Sequence, residues 1–228
     1  LRGFLSKYNA ESWDTLSTEQ GDYIRICLSM ECLSVPDFFS KYFPRFLQSF
    51  PYKKTMRWSK YVFIRPVRWI CAFFNDQTLP LELFGLQSEA FTRGLHGENP
   101  LKVESVNHYF EVLKQHEILY SMSDRIESIK KQLPFKPDID ILEENANRSE
   151  TPIVLHTKFP ERFLTLPSEI IQTVISSQMK CFPEVSQNSS HCSDSFYFVM
   201  NGKKDPSLVS KGFEKVVTAR LNDAEYFY

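Results

Sequence analysis

The chain has 228 residues, of which 42% are apolar and 14% aromatic, and its formal net charge is −1. This composition predicts a folded globular protein with a substantial core and excludes an intrinsically disordered chain. No apolar run is long enough to cross a membrane and no signal peptide is evident, so we expect a cytoplasmic protein without membrane contact. The chain opens without Met and ends inside a helical pattern, which indicates a piece of a longer protein.

The patterns of cysteine, histidine and glycine argue against a Cys-x-x-Cys site, a metal site and a nucleotide site. The five cysteines are scattered without a Cys-x-x-Cys motif, a pattern typical of reduced thiols in a cytosolic protein. The five histidines form no His-x-x-x-His pair, and His96 is expected to belong to an ordinary turn, so no metal site is predicted. The seven glycines form no Gly-x-Gly-x-x-Gly or Gly-x-x-x-x-Gly-Lys loop, which argues against a nucleotide site in these residues.

Positive charge is concentrated in residues 38–75, which we call the basic–aromatic block. The block contains eight lysines and arginines and no aspartate or glutamate, and thirteen aromatic residues are interleaved with them. Basic side chains neutralise phosphates and aromatic rings stack on bases, so this pattern favours a polyanion such as RNA or DNA as the ligand.

Residues 1–104 are predicted to form a strand-rich subdomain that includes the basic–aromatic block. A strand is expected within residues 22–35, followed by a helix that Asp37 caps and that ends near Gln48, before Pro51. Further short strands are predicted at 61–64, 67–74 and 79–84. Turns are predicted at 75–77, Gly85 and Gly94.

Residues 105–150 are predicted to be helical, and residues 151–228 to be an α+β segment whose final helix leads to a missing C-terminal part. Helical periodicity indicates helices at 106–116, 123–133, 138–147, 168–175 (capped by Ser168) and 209–227. Strands are expected at 152–155 and 196–200, with a polar hairpin tip at 187–195. The sequence therefore predicts the α+β class, with mixed or antiparallel sheet, packed helices, and one or two subdomains.

Six blocks of sequence form an ordered series that begins inside the basic–aromatic block. The first contains Lys54-Thr55-Met56-Arg57-Trp58 and Phe63-Ile64-Arg65-Pro66-Val67-Arg68-Trp69. The later blocks include Leu142-Glu143-Glu144, Phe163-Leu164, Lys180-Cys181-Phe182-Pro183, Phe198-Val199 and Ala219-Arg220-Leu221. Over residues 3–228, this series resembles the beta subunit of bacterial heterotetrameric glycyl-tRNA synthetase. Departures from the family pattern, such as Thr151 and Phe213, indicate a divergent member.

The resemblance implies a division of labour between two subunits of a glycine–tRNA ligase. In this family the alpha subunit carries the class II catalytic core, which uses ATP and Mg²⁺, while the beta subunit binds tRNA and completes the assembly. The implied partners are tRNA-Gly and the alpha subunit or a fused alpha region, with no DNA. The resemblance also implies that this segment holds no cofactor and has no catalytic residues of its own.

Candidate RNA-binding residues are cations of the basic–aromatic block: Lys53, Lys54, Arg57, Lys60, Arg65 and Arg68. The alternative is a solvated or ion-paired surface, with the acidic segment 138–150 as the counter-charge. Trp58 and Trp69 are candidate base-stacking rings, although packing in a core is the more common role. On the last helix, Glu214, Arg220 and Asp223 are candidates for a structural or docking role. A helix-surface ion pair or a docking face for the next domain is favoured over a catalytic acid/base pair.

Two other functions stay open on the sequence. The segment could be a structural scaffold for subunit contacts that never touches RNA, or a tRNA-editing hydrolase. No evident nucleophile or metal set supports the hydrolase. Cys181, beside Lys180, is one thiol whose pKa could be lowered, although burial is the more common fate of such a residue.

Overall fold

A computed structural model describes residues 5, 7–8, 12–26, 28, 32–95, 99–185, 192–202 and 204–228. The chain divides into two compact units. Unit 1 comprises residues 1–74 and 78–88, and unit 2 comprises residues 75–77 and 89–228. Helices and small antiparallel sheets make up the described residues, which confirms the predicted α+β class. The predicted boundaries at residues 104 and 150 stay predictions.

Unit 1 contains a β-hairpin followed by a helix. Strands β1 (Trp13–Thr18) and β2 (Gly21–Ile26) pair antiparallel, so the strand predicted within 22–35 is confirmed only as far as Ile26. Helix α1 (Val35–Gln48) begins earlier than predicted, because Ser34 rather than Asp37 is its N-cap: the Ser34 hydroxyl accepts the Asp37 N–H at 3.2 Å. Pro36 in the first turn fits this start, since the N–H groups of the first helical turn have no partner within the helix and the one that proline lacks is not needed.

Short strands occupy the rest of unit 1 and the join to unit 2. They are β3 (Met56–Trp58), β4 (Tyr61–Phe63), β5 (Phe73–Phe74), β6 (Gln77–Thr78), β7 (Glu82–Leu83) and β8 (Leu86–Gln87). The predicted strand at 61–64 is confirmed, and β4 pairs with β3. The longer strands predicted at 67–74 and 79–84 are wrong for most of their length. Pro80 withdraws an N–H donor from the second stretch, so a continuous ladder cannot form there.

The predicted turns of this region are largely confirmed. Asn75 and Asp76 both have positive φ, at 48° and 60°, which is the backbone of a tight hairpin turn. Gly85 (φ 76°) and Phe84 (φ 56°) form a second such turn between β7 and β8. The turn predicted at Gly94 stays a prediction, because residues 96–98 lie outside the described residues.

Unit 2 opens with a small hairpin and three helices. Strands β9 (Phe91–Arg93) and β10 (Pro100–Lys102) pair antiparallel. Helices α2 (Val106–Gln115), α3 (Met122–Gln132) and α4 (Ile139–Arg148) confirm the three predicted helices to within one residue at each end. Local side chains fix two of the starts: Ser105 accepts the His108 N–H, and Asp138 accepts the N–H groups at the start of α4.

A three-stranded antiparallel sheet is the centre of unit 2. Its strands are β11 (Pro152–Lys158), β12 (Phe182–Val185) and β13 (Cys192–Asn201), in the order β11-β13-β12. Between β11 and β12 lie a 3₁₀ turn (Glu161–Thr165), helix α5 (Ser168–Gln172) and a π-helical continuation (Thr173–Gln178). The last element is helix α6 (Pro206–Phe227), capped by Asp205.

Two details of residues 151–228 differ from the sequence prediction. The predicted cap residue Ser168 is instead the first residue of α5, and Pro167 precedes it without any side-chain cap. The predicted hairpin tip at 187–195 is shorter, because β13 already begins at Cys192; residues 187–191 lie outside the described residues. Cys192 and Ser195 are buried, and they pair with residues of β12 and β11 respectively. Both residues therefore belong to strand β13 rather than to the hairpin tip.

Both faces of this sheet are covered. Alternate residues of β13 point to opposite faces: Phe196 and Phe198 pack with Phe163, Ile175 and residues of α6, while Tyr197 and Val199 contact a second cluster built on α3 and α4. Since every large side chain of the strand is at least half-buried, this layered core gives unit 2 its stability. Within the described residues, none of the helices is both long enough and apolar enough to span a membrane.

Candidate nucleic-acid interface

All six predicted RNA-binding cations lie on the surface of unit 1. Lys53 and Lys54 follow α1, Arg57 lies on β3, Lys60 lies in the β3–β4 turn, and Arg65 and Arg68 follow β4: each side chain is exposed. The hairpin turn is tight, since Ser59 beside Lys60 has φ 51°. The two-stranded β3–β4 hairpin therefore presents its cations on a short and well-defined loop.

These cations have no carboxylate neighbour in the part of the chain that the structure describes. No ion pair within 4.0 Å joins a described Asp or Glu to any of the six. Within unit 2, Glu144 of the acidic helix α4 pairs with Arg148 and, at 3.0 Å, with Lys180. Among the described residues of unit 1, no carboxylate neutralises the six cations. RNA contact and pairing with the acidic segment 138–150 both stay predictions.

Trp58 lies in an aromatic cluster. Its ring centroid is 5.4 Å from that of Phe84 and 6.2 Å from that of Tyr61, and the Phe63 centroid lies 4.9 Å from that of Phe84. Trp58 is half-buried as a result, so packing accounts for its position. Trp69 is exposed. Base stacking by either tryptophan stays a prediction.

The three candidates on the last helix separate into two kinds. Glu214 is half-buried and its Oε1 accepts a hydrogen bond from the Thr157 hydroxyl, which joins α6 to β11. Arg220 and Asp223 are exposed, and among the described residues neither belongs to an ion pair. This geometry supports a structural role for Glu214, while docking by Arg220 and Asp223 stays a prediction.

The hypotheses of a lowered thiol pKa at Cys181 and of an ordinary turn at His96 have different outcomes. Burial raises the pKa of the Cys181 thiol to about 12, so the lowered pKa considered for this residue is wrong. His96 lies outside the described residues. Within the described ranges, no group of three or more His, Cys, Asp or Glu side chains is arranged to hold a metal ion.

Sequence reasoning missed two features that the structure brings together. The first is a cleft of about 900 Å³ in unit 2, lined among others by Phe135, Phe182, Glu169 and Glu184. Its walls come from separate elements, so no local pattern could have revealed it. The second is a row of exposed aromatic rings on α1; the four-residue spacing of Phe38, Tyr42 and Phe46 was the signal that could have found it.

An exposed basic surface without neighbouring carboxylates is typical of nucleic-acid-binding proteins. Residues 1–228 match the family described as glycyl-tRNA synthetase beta subunit, and the chain belongs to this family. The family resemblance predicted from the ordered sequence blocks is therefore confirmed.

Named relatives agree with the family assignment. The chain is 31% identical to the glycine–tRNA ligase beta subunit of Thermotoga neapolitana, with 100% of this chain and 35% of the relative covered. It is also 31% identical to that of Aquifex aeolicus (100% and 36% covered) and 30% identical to that of Geobacter sulfurreducens (93% and 33% covered). The chain thus spans about a third of the length of the curated relatives it matches.

Proposed function

We propose that this chain is a tRNA-binding and assembly segment of a cytoplasmic glycine–tRNA ligase. In this proposal the whole enzyme attaches glycine to tRNA-Gly, and the chemistry takes place on an alpha subunit or a fused alpha-like region. The single observation that carries the proposal is the exposed, carboxylate-free set of six cations in a member of this family.

The electrostatics of the six cations suit a phosphate backbone. Each side chain can neutralise one phosphate, and the guanidinium groups of Arg57, Arg65 and Arg68 can bind phosphate oxygens through two N–H groups at once. Six such contacts correspond to a log–log salt slope of roughly −5 on a duplex or −4 on a single strand. Binding of this kind is strong at low salt and weakens steeply as salt is added.

Neither a nucleotide loop of the two familiar kinds in the sequence nor a cation site among the described residues supports ATP or Mg²⁺ binding by this segment. The sequence has no glycine-rich phosphate loop, and the described residues offer no carboxylate cluster for a cation. We therefore assign both cofactors to another part of the enzyme, and the role of this segment is to bind and position the tRNA.

Charge reversal tests the RNA contact. In the complete enzyme, the triple variant Lys54→Glu, Arg57→Glu, Arg65→Glu should bind a tRNA-Gly transcript about 10- to 100-fold more weakly at low salt. The slope of log affinity against log salt should fall by about three. The matched control is Lys114→Glu, Lys130→Glu, Lys204→Glu, which changes the net charge equally at exposed cations of unit 2. Unchanged affinity and slope in the first variant would contradict the proposal.

A second measurement separates this function from its rivals. Size-exclusion chromatography of the chain with alpha subunit, with tRNA, and with both reports which partner it meets. Co-elution with the alpha subunit but never with tRNA would support a scaffold without RNA contact. Hydrolysis of a mischarged tRNA by the chain would indicate the editing function instead.

A further inference from the structure

Helix α1 presents a row of aromatic side chains to solvent, which we call the aromatic stripe: Phe38, Tyr42 and Phe46. They are spaced by four residues, so they lie on one side of the helix, and 51%, 41% and 56% of their surfaces are exposed. The structure describes all of α1, and none of its residues is buried. For a surface helix this is unusual, because one apolar side normally faces a core.

The opposite side of α1 is the one that anchors the helix to unit 1. Ser40, Phe43 and Leu47 are half-buried there, and the Ser40 hydroxyl hydrogen-bonds to the carbonyl oxygens of Pro36 and Pro80. The helix therefore has two apolar sides, of which only one is used within the described structure. A contiguous exposed apolar patch of this kind marks a binding surface.

Rings contact one another at both ends of the stripe. The centroids of Phe38 and Tyr42 are 5.0 Å apart, with the ring planes tilted by 44°. The centroid of Phe46 is 4.9 Å from that of Phe50, which lies just beyond the end of the helix, and these two planes meet at 75°. A preformed row of rings loses little side-chain entropy on binding. Eight residues of helix give the row a length of about 12 Å, which suits the packing of one helix against another.

Charge along the stripe limits what can cover it. Lys41 and Arg45 are exposed and border the same edge of the stripe, one turn apart. The acidic residue of the helix, Asp37, accepts a hydrogen bond from the Ser34 hydroxyl at 2.6 Å at the N-terminal end. The edge is therefore positive, and its complement is an apolar surface flanked by aspartate or glutamate.

We propose that the aromatic stripe docks an acid-flanked amphipathic helix of the alpha subunit. The inference rests on the proposed function for the existence of that partner, and the surface and its chemistry come from α1. In this arrangement the stripe fills the apolar side of the partner helix, while Lys41 and Arg45 pair with carboxylates along its edge.

The test measures the affinity of the full-length beta chain for purified alpha subunit by sedimentation velocity. The double variant Tyr42→Ser, Phe46→Ser should bind about 100-fold more weakly, since exposed aromatic anchors dominate such interfaces. Lys41→Glu, Arg45→Glu retains all three rings of the stripe, although it removes the Lys41 ammonium that lies 5.3 Å from the Tyr42 ring centroid. It should weaken binding about tenfold, with a smaller effect at high salt. The control is Phe110→Ser, which removes a ring of 42% exposure from helix α2 and should change nothing.

Each alternative occupant gives a different result. Wild-type affinity for the alpha subunit in both variants would overturn the proposal. So would a loss of tRNA-Gly affinity alone, which would make the stripe an RNA surface, or a loss of self-association alone, which would make it an interface between copies of this chain. If the wild-type chain binds tRNA but never the alpha subunit, the assembly half of the proposed function fails and this proposal fails with it. If the wild-type chain binds the alpha subunit but the variants do too, only the docking surface is wrong.

Discussion

The side-chain amide of Asn145 donates a 2.8 Å hydrogen bond to the carbonyl oxygen of Lys180, 35 residues further along the chain. Asn145 is buried on helix α4, and Lys180 has φ 57°, in the left-handed region. The same amide also donates to the Ile141 carbonyl oxygen within the helix. This bond fixes the sharp turn from which Cys181 and Phe182 enter the core, and so it joins the helical part of unit 2 to its sheet.

Removing this amide should destabilise unit 2. We expect Asn145→Ala to lower the free energy of unfolding by about 2 kcal/mol, because the change removes a buried side chain that donates to the carbonyl oxygens of Lys180 and Ile141. Urea unfolding followed by far-UV circular dichroism measures the change. The matched control, Asn107→Ala, alters an exposed helical asparagine and should stay within about 0.5 kcal/mol. Equal values for the two variants would contradict this role.

Two glycines should respond to alanine in opposite directions. Gly85 has φ 76°, and a Cβ there would lie 2.6 Å from the Tyr61 hydroxyl oxygen inside the aromatic cluster. Gly85→Ala should therefore destabilise unit 1 by about 1–3 kcal/mol. Gly212 lies in helix α6 with nothing within 4 Å of the added carbon, so Gly212→Ala should stabilise unit 2 by up to about 1 kcal/mol.

Spectroscopy can separate these two effects. All three tryptophans (Trp13, Trp58 and Trp69) belong to unit 1, so fluorescence follows the unfolding of that unit. Most of the described helices belong to unit 2, so circular dichroism mainly follows the unfolding of unit 2. A lower midpoint for Gly85→Ala by fluorescence and a higher midpoint for Gly212→Ala by circular dichroism are expected. The reverse pattern would refute the glycine argument.

The helices of unit 2 could be predicted from the sequence because their signals are local. Apolar residues recur with helical spacing, and the structure shows Ser105 and Asp138 capping the first turns through local hydrogen bonds. The strands predicted at 67–74 and 79–84 failed for the opposite reason. Leu79 and Leu81 are indeed buried, but in irregular backbone beside Pro80. An apolar run therefore predicted burial correctly and hydrogen-bonded pairing wrongly.

The candidate interface shows the same division between local and long-range information. The exposure of residues such as Arg57 and Arg65 follows from the charge pattern of residues 38–75. Whether a carboxylate lies beside them depends on residues distant in sequence, and the sequence left the acidic segment 138–150 as an open alternative. Similarly, Cys181 was one residue from a lysine in the sequence, yet the core into which the chain folds decides its pKa.

The buried Cys181 thiol should make stability depend on alkaline pH. Its pKa is near 9.0 when unperturbed and about 12 in the folded protein, because burial disfavours the thiolate. Between these values the unfolded state releases the proton first, so the free energy of unfolding falls as pH rises, by at most about 1.4 kcal/mol per pH unit. Below pH 9 the thiol is protonated in both states and has no effect. Cys181→Ala should show a flatter decline between pH 9 and 11.

Thiol labelling gives an independent check on Cys181. Exposed Cys32 should react with iodoacetamide at pH 8 in the native protein, whereas Cys181 should react only as the protein unfolds. Mass spectrometry of the labelled peptides distinguishes the two sites. Comparable native labelling of both cysteines would contradict the assigned burial.

The bond between Thr157 and Glu214 should hold helix α6 against the sheet. Thr157 is buried on β11, and its hydroxyl donates to the half-buried Glu214 carboxylate. Thr157→Val keeps the side-chain shape but removes the donor, so we expect a loss of about 1.5–2 kcal/mol in the free energy of unfolding, as for other hydrogen bonds to charged groups. Thr165→Val is the control, because it removes an exposed threonine hydroxyl that donates to the Arg162 carbonyl oxygen and should have little effect.

A double-mutant cycle with Glu214→Ala, which removes the acceptor, isolates this interaction. If the bond contributes as its burial implies, the two single changes overlap, and the double variant loses about 1 kcal/mol less than their sum. Additive losses would instead mean that each residue acts separately. The result also bears on docking: because Glu214 is already engaged within unit 2, a stability effect in the isolated chain assigns it to the fold. Arg220 and Asp223, about two turns further along α6, are exposed, and docking by these two residues stays a prediction.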